Sequence, residues 1–295
     1  MSFVKQKEFN GHVGSVFQID YLDGFVYSVA SDAFSARWDL EKGTQDYFTI
    51  RLSEAAYAVK TDPNISHLFV GLKGGSIHVI DLLHKKELRH FIQHRSAIFC
   101  LQINSHKGHW YSTDADGNLG VWTLKEHELL LFLPLNSGKI RRIAVSSDGE
   151  RIALACQDGT IRVLDTTYFN EISSLNAHQG GCSSVSFLDE NSLVSGGKDA
   201  LLKIWDLENN TLFKSIPAHN YVVYDILKLN DELWVTCSRD KTIKIWDSRF
   251  EKVLQRIDFK NGGHRHSVNS LTVISPDEFA SCSDDGKIFV WGLVE

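Results

Sequence analysis

The chain has 295 residues, a mass of 33.3 kDa, a formal charge of −6 and an isoelectric point near 6.1. A polymer of this length buries roughly 75% of the surface its unfolded form exposes and needs no covalent staple. Four prolines and 23% charged residues exclude a disordered chain, the acidic balance argues against general nucleic-acid binding, and no apolar run approaches signal-peptide or membrane-span length.

In chain order, the first element is an alternating stretch from Phe3 to Phe9, a strand placed just before Gly11-His12. A short run then recurs along the rest of the chain. It reads Phe34-Ser35-Ala36-Arg37-Trp38-Asp39, His78-Val79-Ile80-Asp81, Leu119-Gly120-Val121-Trp122, Arg162-Val163-Leu164-Asp165, Leu201-Leu202-Lys203-Ile204-Trp205-Asp206, Thr242-Ile243-Lys244-Ile245-Trp246-Asp247 and Lys287-Ile288-Phe289-Val290-Trp291-Gly292. Its Trp-equivalent positions are 38, 80, 122, 164, 205, 246 and 291, so the steps are 42, 42, 42, 41, 41 and 45. A period of about 40–45 residues built from short strands is the mark of a β-propeller.

Each copy divides into four strands. In the fifth they are Ser183 to Phe187, Leu193 to Gly196, Leu201 to Asp206 and Leu212 to Ile216, separated by Asp189-Glu190-Asn191, Gly197-Lys198-Asp199 and Glu208-Asn209-Asn210. No useful 3.6-residue apolar period appears, so helix is essentially absent. The longest step places its extra residues in Asp258 to Gly263. After Trp291 only four residues remain, and the last copy lacks its outer strand. The expected fold is all-β: one seven-bladed propeller domain over 1–295, with four-stranded antiparallel blades and residues 3–9 completing blade 7, so that no sheet edge is left open. Cys100, Cys156, Cys182, Cys237 and Cys282 lie far apart inside strand patterns and read as buried free thiols of a reducing compartment, cytoplasmic or nuclear.

The recurring residues resemble the WD-repeat family along the whole chain. In that family a buried relay, Trp to Ser/Thr to His to Asp, pins each blade. Here the Asp falls six residues before the Trp, the Ser or Thr ten before, and the His 26 to 28 before. Five copies carry the set: His12/Ser28/Asp32/Trp38, His94/Ser112/Asp116/Trp122, His178/Ser195/Asp199/Trp205, His219/Thr236/Asp240/Trp246 and His264/Ser281/Asp285/Trp291. The fourth copy keeps only Asp158, and the second has Gly74 in its place. Five Ser–His–Asp sets around one ring fit a repeated brace rather than a hydrolase triad. The remaining histidines have no metal-ligand spacing; His84, His90, His106, His109 and His127 read as solvated surface residues.

In similar propellers partners dock on the top face, where three positions per blade point. The residue before the Asp gives Ser31, Lys73, Ala115, Gln157, Lys198, Arg239 and Asp284. The position five after the His gives Phe17, Tyr57, Phe99, Arg141, Ser183, Tyr224 and Asn269, and the position three after gives Lys139 in the fourth copy. Lys260 and Arg265 accompany the long loop. The opposite face is acidic, through Asp23, Asp62, Asp148, Asp189, Glu190, Asp231, Glu232, Asp277 and Glu278.

The resemblance and this charge pattern imply a non-enzymatic scaffold or adaptor without a cofactor or metal. It would be a monomer within a larger complex, off the membrane. Its partner would be a protein or peptide with an acidic or phosphorylated segment, bound at Phe17, Tyr57, Lys73, Phe99, Lys139, Arg141, Lys198, Tyr224, Arg239, Lys260 and Arg265. Trp246-Asp247-Ser248-Arg249 also resembles the box of cullin-ligase substrate receptors, although Cys237 departs from its small-residue pattern. A remote alternative is an enzyme with its site in the central channel.

Overall fold

A computed structural model describes residues 2–294; Met1 and Glu295, which the expected 1–295 domain span includes, lie outside the described residues. The alternating runs form 28 strands in seven separate four-stranded antiparallel sheets, each a meander except the last. In the fifth blade the strands are Cys182–Asp189, Ser192–Gly197, Leu201–Asp206 and Thr211–Pro217, one or two residues longer than the pattern implied at most ends. Among the described residues the one helical element is a 3₁₀ turn, Phe259–Asn261, inside the long loop; Asp258 caps it.

The strand Ser2–Asn10 pairs antiparallel with Lys287–Val294 and supplies the outer strand of the last blade. The physical reason lies in the cores. The described residues form seven apolar clusters, and each fills the seam between two neighbouring blades rather than the interior of one. A blade is a single sheet, apolar on both faces, so it can be buried only by a neighbour on each side. Phe3 and Phe9 close the two seams flanking blade 7. Phe3 packs 5.4 Å from Phe279 beside the blade 6 residues, and Phe9 packs 5.5 Å from Trp38 of blade 1. Both rings are nearly inaccessible, at 4% and 2% exposure. All five cysteines are free and buried, and burial pushes their thiols up.

Inside the blades the polar relay has a consistent geometry. Trp38 Nε1 donates to Ser28 Oγ at 2.8 Å, His12 Nε2 meets the same oxygen at 2.8 Å, and His12 Nδ1 meets Asp32 at 2.9 Å. In blade 3, Ser112 Oγ accepts from Trp122 Nε1 at 2.8 Å and meets His94 Nε2 at 2.7 Å. In blade 5, Ser195 Oγ accepts from Trp205 at 2.9 Å and meets His178 at 2.8 Å. Thr236 Oγ1 of blade 6 lies 2.9 Å from Trp246 and 2.8 Å from His219. Ser281 Oγ of blade 7 lies 2.8 Å from Trp291 and 2.9 Å from His264. The His–Asp distances of blades 5, 6 and 7 are 2.8, 3.1 and 3.0 Å, to Asp199, Asp240 and Asp285.

Ser28, Ser112, Ser195, Thr236 and Ser281 all have 0% exposure. Each hydroxyl is held between an indole and an imidazole on the inside of a blade, where neither solvent nor a ligand reaches it. These five residues are therefore braces and not parts of an accessible site. A hydroxyl is needed there because it can accept from the indole and still bond the imidazole, so both buried rings are satisfied.

Blade 3 departs from the expected wiring at the acid. His94 Nδ1 meets Asp114 at 2.7 Å, whereas Asp116 is exposed and outside the relay. Two positions beyond the hydroxyl residue, the other four blades carry small residues: Ala30, Gly197, Ser238 and Ser283. That position abuts the histidine ring, since a Cβ added to Gly197 would collide with His178. A carboxylate placed there reaches the ring directly and takes the role.

His127 also departs from its solvated reading. It sits in a left-handed conformation (φ 57°) in a hairpin turn, which folds the ring inward between blades 2 and 3. It is 5% exposed, and its Nε2 lies 3.1 Å from His67 Nδ1. Of the bottom-face acids, Asp62 is buried, and its Oδ1 accepts from the Asn64 backbone.

Candidate protein-docking face

The innermost strand of every blade carries a β-bulge near its start. The unpaired residues are Phe17, Tyr57, Phe99, Arg141, Ser183, Tyr224 and Asn269. An extra residue in one strand re-aims its side chain away from the sheet alternation. Six of the seven line one pocket of about 310 Å³ with Lys139, Arg142 and Asp284, at the mouth of the central channel. Three of the rings form a ladder: Phe17 lies 4.6 Å from Tyr57, and Tyr57 stacks on Phe99 at 5.4 Å and 6°. Lys139 extends the ladder, its Nζ 4.1 Å above the Phe99 ring, and Arg141 lies 4.5 Å over Tyr224.

A second pocket of about 330 Å³ adjoins the first, sharing Lys139, Arg141 and Tyr224 and adding Gln157, Lys198 and Arg239. Among the described residues no Asp or Glu lines it. Burial, followed by repulsion from Arg141 and Lys198, holds the Lys139 ammonium below the ordinary lysine range. Burial and then Arg142 act likewise on Arg141. Lys139 is thus held beside Arg141 and Lys198 against their repulsion, with Arg239 lining the same pocket, and an anion placed there would relieve it.

The structure therefore brings together eight of the eleven top-face residues: Phe17, Tyr57, Phe99, Lys139, Arg141, Lys198, Tyr224 and Arg239. It leaves three apart. Lys73 lines neither pocket, Lys260 lies in the exposed long loop, and Arg265 packs 4.8 Å over the Phe259 ring. The relay hydroxyls of Ser28, Ser112, Ser195, Thr236 and Ser281 line neither pocket; they stiffen the blades that present these loops.

Sequence reasoning missed Arg142. It follows the bulge residue Arg141, turns into the channel, and pairs with Asp225 of blade 6 at 2.8 Å while reaching Ser270 at 3.3 Å. Asp225 also accepts from the Leu271 amide at 3.0 Å. Asp20 of blade 1 pairs with Lys60 of blade 2 at 3.0 Å. Arg142 and Asp225 thus tie blade 4 to blade 6 across the axis, whereas Asp20 and Lys60 join neighbouring blades.

Seven blades with a repeated Trp–Ser/Thr–His–Asp brace define a WD-repeat propeller, the class of module that generally serves as a non-enzymatic protein-interaction scaffold. The chain belongs to that family: the WD domain, G-beta repeat matches at residues 85–123, 127–165, 169–206, 210–247 and 255–292. Each matched unit begins near the outer strand of one blade and ends with the third strand of the next, the same offset that sends the N-terminal strand to blade 7.

The chain is similar to protein DOA1 of Saccharomyces cerevisiae, 32% identical over 180 residues, covering 60% of this chain and 24% of that protein. It is also similar to the U3 snoRNP-associated protein-like EMB2271 of Arabidopsis thaliana, 23% identical over 243 residues, covering 76% of this chain and 50% of that one. The chain spans well under two thirds of either relative. The crystal structure of the WD40 beta propeller domain of Doa1 superposes with a TM-score of 0.87 at 20% identity, covering 100% of this chain and 98% of that one. The likeness at that identity is one of fold. Among the described residues no helix is long and apolar enough to cross a membrane.

Proposed function

We propose that this chain is an adaptor that holds an acidic or phosphorylated segment of a partner protein across the bulge-lined mouth of its propeller, as one subunit of a larger complex in a reducing cytoplasm or nucleus. The observation that carries this reading is the pairing of an aromatic ladder with a pocket lined, among the described residues, by four cations and no carboxylate. Aromatic and Arg side chains supply most of the energy of protein interfaces, and a carboxylate or phosphate accepts charge-assisted hydrogen bonds from such a cluster. A cullin-ligase receptor is the second reading, favoured by the exposure of Arg249 at the bottom face.

Affinity purification of tagged wild type and Lys198→Glu/Arg239→Glu chains, with quantitative mass spectrometry, tests the adaptor. The double reversal should lose the principal partner, and wild-type recovery should fall between roughly 0.05 and 0.5 M NaCl. Unchanged recovery by the double variant would remove the top face from the function. The same capture with Arg249→Ala reads the alternative, which requires a ligase adaptor in the wild-type sample and its loss in the variant.

A further inference from the structure

A recess larger than the channel mouth lies on the bottom side of the ring. A groove of about 960 Å³ runs along the bottom side of the seam between blades 5 and 6, about three times the volume of the mouth pocket and at the upper end of the range for ligand clefts. Leu188, Ile204 and Trp234 line its apolar part, and Phe213 stands 77% exposed on the outer strand of blade 5. A bare phenylalanine beside an apolar cleft is a surface that a partner would gain by burying.

The groove is acidic. Six carboxylates line it against three cations. Lys228 pairs with Asp231 at 2.9 Å, Lys214 donates to the Phe250 carbonyl at 3.1 Å and keeps its charge, and Arg249 is exposed, so six carboxylates less three cations leave the lining a formal charge of −3. Asp189 and Asp206 accept from their own turns. Among the described residues, Glu190 and Glu208 meet neutral donors, Ser147 Oγ and Asn191 Nδ2. Glu251 faces the groove beside them. The negative charge that remains is accessible, and it surrounds an apolar centre.

We propose that this groove is a second docking site, and that its occupant is a short extended segment of a partner protein carrying a large apolar side chain flanked by Lys or Arg. The apolar side chain would cover Phe213 and Leu188, and the flanking cations would face Glu190, Glu208 and Glu251. Charge complementarity selects the occupant: the chemistry is opposite to that of the mouth, so one propeller would hold two partners of opposite charge on opposite faces. The inference does not depend on the top-face reading.

The probe is a fluorescein-labelled synthetic peptide, Gly-Lys-Arg-Leu-Phe-Lys-Arg-Gly, titrated with the full chain by fluorescence anisotropy at about 0.05 M NaCl, where screening is weak. Saturable binding is expected, weakened at least tenfold by Phe213→Asp and by Glu190→Lys/Glu251→Lys. All three side chains are exposed, and circular dichroism melting confirms that the variants fold. Lys198→Glu/Arg239→Glu, on the other face, should leave affinity within twofold. Absence of saturable binding by wild type would overturn the proposal. So would equal affinity for a control peptide with Gly-Gly replacing Leu-Phe, which marks attraction by net charge alone, or equal affinity of the Glu190→Lys/Glu251→Lys variant.

Discussion

Replacing Asp114 by alanine, with Asp116→Ala as its partner experiment, separates two wirings of blade 3 that differ by two residues. Asp114 is fully buried and accepts four hydrogen bonds: from His94 Nδ1 at 2.7 Å, the Asp116 amide at 3.0 Å, and the Asn118 amide and side chain at 2.9 and 2.8 Å. Burial alone would raise its carboxyl, but the bonds from His94 and Asn118 outweigh it and hold it below the usual range. Truncation strands a buried His94 donor, at about 1–3 kcal/mol, and removes the turn bonds, each worth about 0.5–1.5 kcal/mol less whatever water restores. The expected loss is about 3 kcal/mol, or a melting temperature lower by about 6 °C for a chain of this size. Asp116 is exposed, and its truncation should stay within about 0.5 kcal/mol. Guanidinium unfolding followed by tryptophan fluorescence, with the two midpoints compared at equal slope, is the assay. If Asp116→Ala costs as much as Asp114→Ala, the relay assigned to blade 3 is wrong.

Two further outcomes follow from the seams. Phe3→Ala and Phe9→Ala should each lower unfolding free energy by about 3–5 kcal/mol, because each ring fills a blade-to-blade core beside blade 7; a loss below about 1 kcal/mol by chemical denaturation would mean that the N-terminal strand frays. The second concerns pH. Burial, then repulsion from His67 and Arg89, holds His127 down at about 4 against an ordinary 6.5. Between those values the unfolded chain binds a proton that the native fold refuses, so stability present above pH 6.5 is lost as the pH falls toward 4, by an amount on the order of 2–3 kcal/mol. His127→Asn should flatten that part of the stability profile, and an unchanged slope from about pH 7 to about 4.5 would refute the assignment.

The repeat and its period were legible in the chain because a propeller is nearly one-dimensional: each blade repeats the same strand alternation and the same turn chemistry, and seven copies count themselves. Phe3 to Phe9 read as the missing outer strand for the same reason, since the last copy was one strand short and an open sheet edge is a liability. The relay hydroxyls were legible too. Ser112, Ser195, Thr236 and Ser281 sit ten residues before their tryptophans on the neighbouring strand, and a hairpin register brings that pair together wherever it recurs. Periodicity carries positions, however, and not the direction in which a side chain leaves the backbone. The spacing of six from Trp122 pointed to Asp116, while the contact belongs to Asp114, which the small residues of the other blades make room to see only once the His94 ring is in place. His127 looked like any isolated surface histidine until one left-handed residue turned it into the seam.

The mouth of the channel shows the division most clearly. The amino-acid order determined which residue types stand five positions after each blade's histidine or its equivalent, and so named Phe17, Tyr57, Phe99, Arg141 and Tyr224 together. The tertiary structure decided that each of them occupies a bulge, that Lys139 lies over Phe99, and that Arg142 turns into the channel toward Asp225 from across the ring. It also decided that Phe213 and Glu251, distant in number, share one groove. Local spacing sets what each blade offers. Closure of the ring, which alone buries both faces of every sheet, sets which of those offerings meet.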